Sequence, residues 1–345
     1  MVQALDRFYA QFINDPRDIV FVRLMLSCSL MIPFAVALFY LGTFPIWLAV
    51  IYLAVWAFVY VDRFTLMLHC TSHRPLFKKK YRFMNRYIPW LLCPFFGQSP
   101  ETYFSHHMGM HHVEGNLPGD LSSTMKYQRD NVLHWLRYFL RFFFFAIVEL
   151  SLYHLRKHRM KLFRNTVVGE LTFLGGCALG LTLRPIPTLV VFVIPWFVIR
   201  FLMMAGNWGQ HAFVDPLEPN NDFKSSITCI NTRYNRRCFN DGYHIIHHLK
   251  PAMHYTEMDK EFDNHRERYG AQDAIVFSGI DFFGVWLLLM LHRHRALARA
   301  FVQLPGAPQR SEDEVVELLR RRLAPIHDWK PQTKAQPSGV AAVGV

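Results

Sequence analysis

Residues 24–61 read LMLSCSLMIPFAVALFYLGTFPIWLAVIYLAVWAFVYV and carry no charged side chain. The segment divides into two apolar runs of 18 residues each, 24–41 and 44–61, on either side of Gly42 and Thr43. A helix of about this length is long enough to cross the hydrocarbon core of a bilayer. Because the connection between the runs is so short, the segment is predicted to form an antiparallel pair of membrane-spanning helices.

A second pair of apolar runs repeats this plan further along the chain. Residues 166–183 and 188–205 are joined by a four-residue turn that contains two prolines. Each hairpin returns the chain to the side from which it started, so all the long polar segments are predicted to share one face of the membrane. The sequence therefore predicts an all-α integral membrane protein, with four transmembrane helices arranged as two hairpins and a helical cap outside the membrane.

Composition and charge agree with this prediction. Hydrophobic residues make up 52% of the 345-residue chain, and 31 Phe are more than a soluble protein of this length buries readily. The formal net charge is +12, and basic residues cluster beside apolar runs within 78–86 and 156–164. Such clusters are typical of contact with anionic lipid headgroups, and nucleic acid is not expected as a partner. The positive-inside rule places their shared face, and hence the cap, in the cytoplasm.

Two further apolar segments contain charges within the run. Residues 135–155 and 276–291 are predicted to be helices that lie in the membrane interface, with a third hairpin as the alternative.

Towards the C-terminus, Ser311 and Glu314 form a capping box, which predicts an amphipathic helix within residues 311–329. The chain is accordingly divided into a membrane domain over 1–310, this C-terminal helix, and a disordered tail over 330–345.

Histidine is the residue type that points to chemistry. Half of the 18 His residues fall into three clusters and one outlier, all on the predicted cytoplasmic side. Spacings of three or four residues turn imidazoles toward one face of a helix. The pattern identifies nine candidate metal ligands: His69 and His73; His107, His111 and His112; the outlier His211; and His244, His247 and His248.

Several neighbouring residues are candidates for supporting roles. His106 competes with His107, which is favoured because it precedes His111 by four residues and can share its helical face. Asn207 lies one helical turn before His211 and is a candidate for holding a metal-bound water. The carboxylates predicted to orient ligand imidazoles through hydrogen bonds are Asp120, Asp215 and Asp241.

Nine imidazoles are too many for one ion that keeps an open coordination position, so the pattern predicts two metal ions. Imidazole suits zinc, copper and iron alike, but zinc has no redox chemistry. A site beside lipid favours a pair of iron ions (Fe2+/Fe3+) with O2 as co-substrate. The rival class, a non-catalytic membrane metal binder such as a transporter, would need ligands near mid-membrane, whereas these histidines follow the ends of the predicted spans.

The three histidine clusters are called the first box (His69 and His73), the second box (His107, His111 and His112) and the third box (His244, His247 and His248). The order of hairpin, first box, second box, hairpin, the isolated His211 and third box resembles the membrane fatty acid desaturase and alkane hydroxylase superfamily. The resemblance covers about residues 20–290 and implies that the nine histidines are the ligands of a di-iron centre. Asn207 with His211 is similar to a stearoyl-CoA desaturase motif, whereas the spacing of the second box is closer to that of alkane monooxygenases.

The resemblance implies an O2-dependent oxidoreductase that acts on a fatty-acyl chain, with fatty acid desaturation as the preferred reaction. Hydroxylation of a lipid or alkane, and oxidative decarboxylation of a free fatty acid to a terminal alkene, are the alternatives. It also implies a separate electron donor of the ferredoxin, rubredoxin or cytochrome b5 type, since no fused donor domain is recognisable in the chain.

Overall fold

Helices make up most of the structure, a computed structural model that describes residues 2–41, 45–327 and 329. Within these residues, five helices are long and apolar enough to cross a membrane. These five are α2 (Pro16–Tyr40), α3 (Ile46–His73), α5 (Val132–Arg156), α6 (Met160–Leu183) and α7 (Pro185–Gln210). Helix α1 (Val2–Ala10) precedes them, and a short helix α4, residues 102–114, lies between α3 and α5.

All four predicted spans coincide with long helices, although two of these extend beyond the apolar run. Helix α3 continues past Val61 to His73, and α7 continues past Ala205 to Gln210. The fifth candidate, α5, contains the segment that was predicted to be interfacial. The predicted connection at Gly42 and Thr43 lies outside the described residues.

The surfaces of the long helices are apolar. Phe58 on α3 is 81% exposed and Phe144 on α5 is 64% exposed, and many other large apolar side chains on these helices are exposed as well. Contiguous apolar surface of this kind is unfavourable in water, and it suits contact with lipid.

The chain after α7 folds into a cap of short elements. It includes one small sheet, in which β1 (Ile227–Ile230) and β2 (Ile275–Ser278) pair in parallel, with Ile227 opposite Ile275. The all-α class describes the chain apart from this one pair of strands, but the prediction of one helix over 276–291 is wrong in detail, because β2 occupies the start of that segment and a helix follows. The elements of the cap are α8 (Asp222–Ser225), β1 (Ile227–Ile230), α9 (Arg233–Arg237), α10 (His244–Leu249), α11 (Met258–Asn264), α12 (Arg266–Ala271), β2 (Ile275–Ser278), α13 (Phe282–Met290), α14 (His294–Ala300) and α15 (Glu312–Leu323).

The C-terminal helix α15 begins with the predicted capping box, in which Ser311 and Glu314 bond reciprocally. Its apolar face is buried, with Leu319 and Leu323 in the same core as Phe277 of β2. Because this face packs on the sheet, the helix is joined to the cap. The predicted disordered tail over 330–345 lies outside the described residues.

The cap contacts the ends of the first two long helices. The ring of Phe239 packs edge-on against Phe21 of α2, with 4.8 Å between the centroids, and Arg237 pairs with Asp62 of α3. These contacts hold α10 beside the C-terminal turns of α3, where His69 and His73 lie.

Candidate metal centre

The structure brings all nine predicted histidines together in two adjacent groups. In each group, one potential ligand atom from every residue lies within 4.8 Å of all the others. The first group, called the five-histidine cluster, consists of His69, His73, His107, His112 and His247; the second, called the four-histidine cluster, consists of His111, His211, His244 and His248.

The Nε2 atoms of the five-histidine cluster face one another. The distance is 3.0 Å from His69 to His247 and 2.9 Å from His73 to His107. His112 Nε2 lies 3.1 Å from that of His107 and 2.9 Å from that of His247. Ligand atoms about 3 Å apart are spaced as neighbours around one ion with bonds near 2.0–2.1 Å.

In the second box, a change of helix type distributes the ligands between the clusters. Residues His107–His111 form a π-helical turn within α4. A π turn is wider than an α turn, so residues five apart come into line, and His112 meets His107 while His111 points to the other cluster. The structure thus places His107 in the five-histidine cluster, where its neighbour is His112 and not the His111 expected from helical spacing.

The four-histidine cluster is assembled from three separate elements. His244 Nε2 lies 3.1 Å from that of His248 on the same helix and 3.3 Å from that of His211, which follows the last turn of α7. The imidazole of His111 stands edge-on to that of His211, with 5.2 Å between the centroids. His247, between His244 and His248 in sequence, belongs to the five-histidine cluster, so the third box also serves both.

Three ligand rings are oriented by acceptors on their outer nitrogen. His111 Nδ1 lies 2.7 Å from Asp120, and His69 Nδ1 lies 3.1 Å from Asp241. His211 Nδ1 donates to the backbone oxygen of Ser225 over 2.8 Å. An imidazole that donates from Nδ1 presents the lone pair of Nε2 on its other side, which is the form that binds a metal.

Burial keeps several of the clustered imidazoles neutral. Together with the neighbouring His111, it lowers the pKa of His211 to about 3. Burial likewise holds the pKa of His107, His112 and His244 well below the usual range for histidine. Neutral lone pairs that face one another at about 3 Å repel, so a cation between them stabilises the arrangement. The donor set therefore fits two metal ions.

Asp120 is a strong acceptor at the four-histidine cluster. Besides His111, its carboxylate accepts bonds from the backbone nitrogens of Asn116 and Ser122 and from the Ser122 hydroxyl. Burial would raise the pKa of Asp120, but His111 and the bonds from His111 and Ser122 lower it to about 2. The carboxylate is therefore ionised at neutral pH.

The other predicted supporting residues differ in their surroundings. Asp241 bonds to Tyr234 as well as to His69, as a ring-orienting group should. Asp215 does not fill this role: its carboxylate pairs with Arg322, at 3.1 Å, and no bond joins it to a histidine among the described residues. Sequence proximity to His211 was a misleading signal, because the chain turns away after α7.

Asn207 and His106 lie beside the clusters without joining them. The Asn207 amide nitrogen donates to the backbone oxygen of Ser122 and to the hydroxyl of Tyr138 on α5. His106 packs edge-on against Phe142, and its buried Nε2 has no hydrogen-bond partner within the described part of the chain. The choice of His107 over His106 agrees with these positions. Nothing in the sequence pattern had pointed to Tyr138, or to the Ser225 carbonyl.

A cavity of about 270 Å³ reaches both clusters from the side of the long helices. His69 and His107 of the five-histidine cluster line it, and so do His111 and His244 of the four-histidine cluster. Its remaining wall is mostly apolar, with Leu66, Ile199, Leu202, Met203, Met204, Phe282 and Phe283 among the lining residues. An apolar cavity that ends at two metal-ligand clusters suits a hydrocarbon chain.

Fold and site together define a helical membrane protein whose histidine-rich centre lies at the end of an apolar cavity. The family model for fatty acid desaturase matches residues 45–279, which is most of the chain, and the chain belongs to that family. A comparison with curated proteins yielded no match. Membership implies an integral membrane oxidoreductase that acts on fatty acids, and it agrees with metal binding by the histidine clusters.

Proposed function

We propose that this protein is a di-iron, O2-dependent fatty acid desaturase. The observation that carries the proposal is the convergence of nine buried or partly buried imidazoles into two groups at the end of one apolar cavity. The five-histidine and four-histidine clusters would each hold one iron ion. Asn207, which lines the cavity together with His111 and His244, would support a metal-bound water.

When bound, two iron ions supply the redox chemistry needed to activate O2. The protein's own residues orient the ligands and exclude water. Asp120 and Asp241 fix the rings of His111 and His69, and the apolar wall of the cavity positions a methylene group of the acyl chain. Desaturation takes two hydrogens from the chain and two electrons and two protons from outside, and reduces O2 to two waters. The electrons require a separate donor of the ferredoxin, rubredoxin or cytochrome b5 type.

The positions of the clusters support four membrane crossings. His73 ends α3 and His211 follows α7, and both belong to one centre, so the chain between them crosses the membrane an even number of times. Three of the candidate helices lie in that stretch, and α5 is the one that packs along the site: Tyr138 bonds to Asn207 near one end. We therefore place α5 in the interface.

The same reasoning sets the side of the membrane. With four crossings, the N-terminus, the basic segments and the metal centre share one face, which the positive-inside rule makes cytoplasmic. We propose one domain over 1–310 that carries the centre, with the amphipathic helix within 311–329 attached to the cap.

Mass spectrometry of lipids tests the reaction. Purified protein in lipid nanodiscs, supplied with a chemical or protein reductant, should contain two irons per chain and consume O2 only when an acyl substrate is present. A product two hydrogens lighter supports desaturation. A gain of one oxygen would reassign the protein as a hydroxylase, and a loss of CO2 together with two hydrogens, giving a terminal alkene, as a decarboxylase.

Two matched variants test whether iron binding and product formation require a histidine of the clusters and not one elsewhere in the chain. His247→Ala removes a buried ligand and should abolish both iron at its cluster and product formation. His265→Ala changes an exposed histidine of the same region and should alter neither. Full turnover by His247→Ala would contradict the proposal.

A further inference from the structure

A separate group of metal-ligating side chains lies outside both clusters, where α5 begins. Asp130 directly precedes Asn131, the N-cap residue of α5, and His292 and His294 lie at the turn between α13 and α14. One ligand atom of each of these three side chains lies within 4.8 Å of the others. The group joins two parts of the chain that are about 160 residues apart.

The spacing of the three ligand atoms matches one small cation. His294 Nε2 lies 2.9 Å from Asp130 Oδ2, and His292 Nδ1 lies 3.9 Å from the same oxygen. Around a tetrahedral ion with bonds of about 2.0–2.1 Å, neighbouring ligand atoms are about 3.3–3.4 Å apart, which lies between these two values. We propose that Asp130, His292 and His294 form a second, independent site for a zinc-class divalent cation, with water as the fourth ligand.

Asp130 is held in place before any cation binds. The buried Arg129 beside it donates to backbone oxygens from three stretches of chain, including those of Ala212, Met125 and Arg322. The Gln128 amide donates to Asp130 Oδ1 over 2.5 Å, so Oδ2 is the oxygen that faces the histidines. A carboxylate with its second oxygen hydrogen-bonded is typical of metal sites with a well-ordered ligand set.

The turn between α13 and α14 has an unusual backbone. His292 has φ +52°, in the left-handed region that is unfavourable for a residue with a Cβ. This conformation ends α13 and allows imidazoles two residues apart to reach the same carboxylate. The His292 side chain is 62% exposed, so the site is open to solvent and to exchange of the cation.

A cation here would hold the wall of the substrate cavity. Near the site, Trp135 of α5 packs against Trp286 of α13, with 4.9 Å between the ring centroids. Further along these helices, Tyr138 bonds to Asn207, and Phe282 lines the cavity. Zinc at Asp130 would therefore link the start of α5 to the end of α13, at the ends of these helices away from Tyr138 and Phe282 and without contact with the substrate.

Zinc binding to the iron-loaded, full-length protein in nanodiscs tests the proposal. After incubation with ZnCl2 and removal of unbound metal, the wild type should retain one zinc per chain in addition to its iron. Its melting temperature should rise with zinc concentration. The variants His292→Asn and Asp130→Asn should lose the zinc and the rise in melting temperature, and retain their iron.

The choice of variants separates this site from the histidine clusters and from unfolding. Asparagine tolerates the left-handed backbone at position 292, so His292→Asn tests the ligand without disturbing the turn. His265→Asn, at an exposed histidine elsewhere, should bind zinc as the wild type does. His107→Ala should lose iron and keep the zinc. Equal zinc retention by the wild type and His292→Asn would overturn the proposal and leave a simple ion pair between Asp130 and His294.

Discussion

Replacement of Asp120 by asparagine tests how the four-histidine cluster is oriented. The carboxylate accepts four hydrogen bonds, from His111 Nδ1 at 2.7 Å, the backbone nitrogen of Asn116 at 3.1 Å, and the backbone nitrogen and hydroxyl of Ser122 at 2.7 and 2.6 Å. His111 and Asn116 share Oδ2, and Ser122 uses Oδ1. An amide has only one acceptor oxygen, so in either orientation its NH2 faces one of these donors.

The magnitude follows from the bond that is lost. A buried hydrogen bond to a charged group contributes about 1.5–3 kcal/mol, and removal of a partner that orients a metal ligand lowers metal affinity about 10–100-fold. We therefore expect Asp120→Asn to bind iron at the four-histidine cluster about 10–100-fold more weakly. Iron retained per chain against increasing chelator concentration measures this affinity, and the apoprotein melting temperature reports the fold separately.

Asp215→Asn is the matched comparison. Asp215 was an equal candidate from sequence, but it pairs with the buried Arg322 and not with a histidine. This variant should lower the melting temperature and leave iron affinity unchanged. If Asp120→Asn folds normally and retains iron at the same chelator concentration as the wild type, or if Asp215→Asn loses iron as readily, the assignment of Asp120 as the orienting group is wrong.

Three further predictions concern the ligands, the backbone and pH. His107→Ala should lose iron from the five-histidine cluster, whereas His106→Ala should retain both irons; metal analysis of the two variants decides between these neighbours. Gly97→Ala should destabilise the protein by about 1–3 kcal/mol in thermal unfolding. The reason is that Gly97 has φ +73° and that an added Cβ would lie 2.4 Å from the backbone of Pro195. An unchanged melting temperature would contradict this close approach. The iron-free protein should lose stability as pH falls below about 6.5, because His211 gains a proton in the unfolded chain but not in the folded one, where its pKa is about 3. Each histidine of this kind lowers the free energy of unfolding by at most about 1.4 kcal/mol per pH unit. A melting temperature independent of pH between 7 and 5 would refute this prediction.

Much of the fold and the ligand set could be predicted because both depend on local patterns. An uncharged run of 18 residues has few alternatives to a spanning helix, and the four predicted spans all fall within long helices. Likewise, His69 with His73 and His244 with His248 each repeat at a helical spacing, and they point together for that reason alone. The nine histidines that converge are the nine that the pattern identified.

The division of those histidines between two clusters depended on the tertiary structure. Helical spacing treats His107 and His111 as a pair, whereas the π turn pairs His107 with His112. The same limit applies to orienting groups: Asp120 and Asp215 look alike in sequence, but only the fold brings one to a ligand ring and the other to Arg322. Contacts over long sequence separations, and backbone acceptors such as the Ser225 carbonyl, have no local signature.

By itself, then, the amino-acid sequence determined the long apolar helices and which histidines recur at helical spacing, because hydrophobic length and helical period act within a few turns of chain. Only the tertiary structure decided which imidazoles face which, what holds their rings, and that β2 replaces the start of a predicted helix. These features arise from packing between distant segments, such as α10 against the end of α3, and the free energy of such contacts is not encoded in any single stretch of chain.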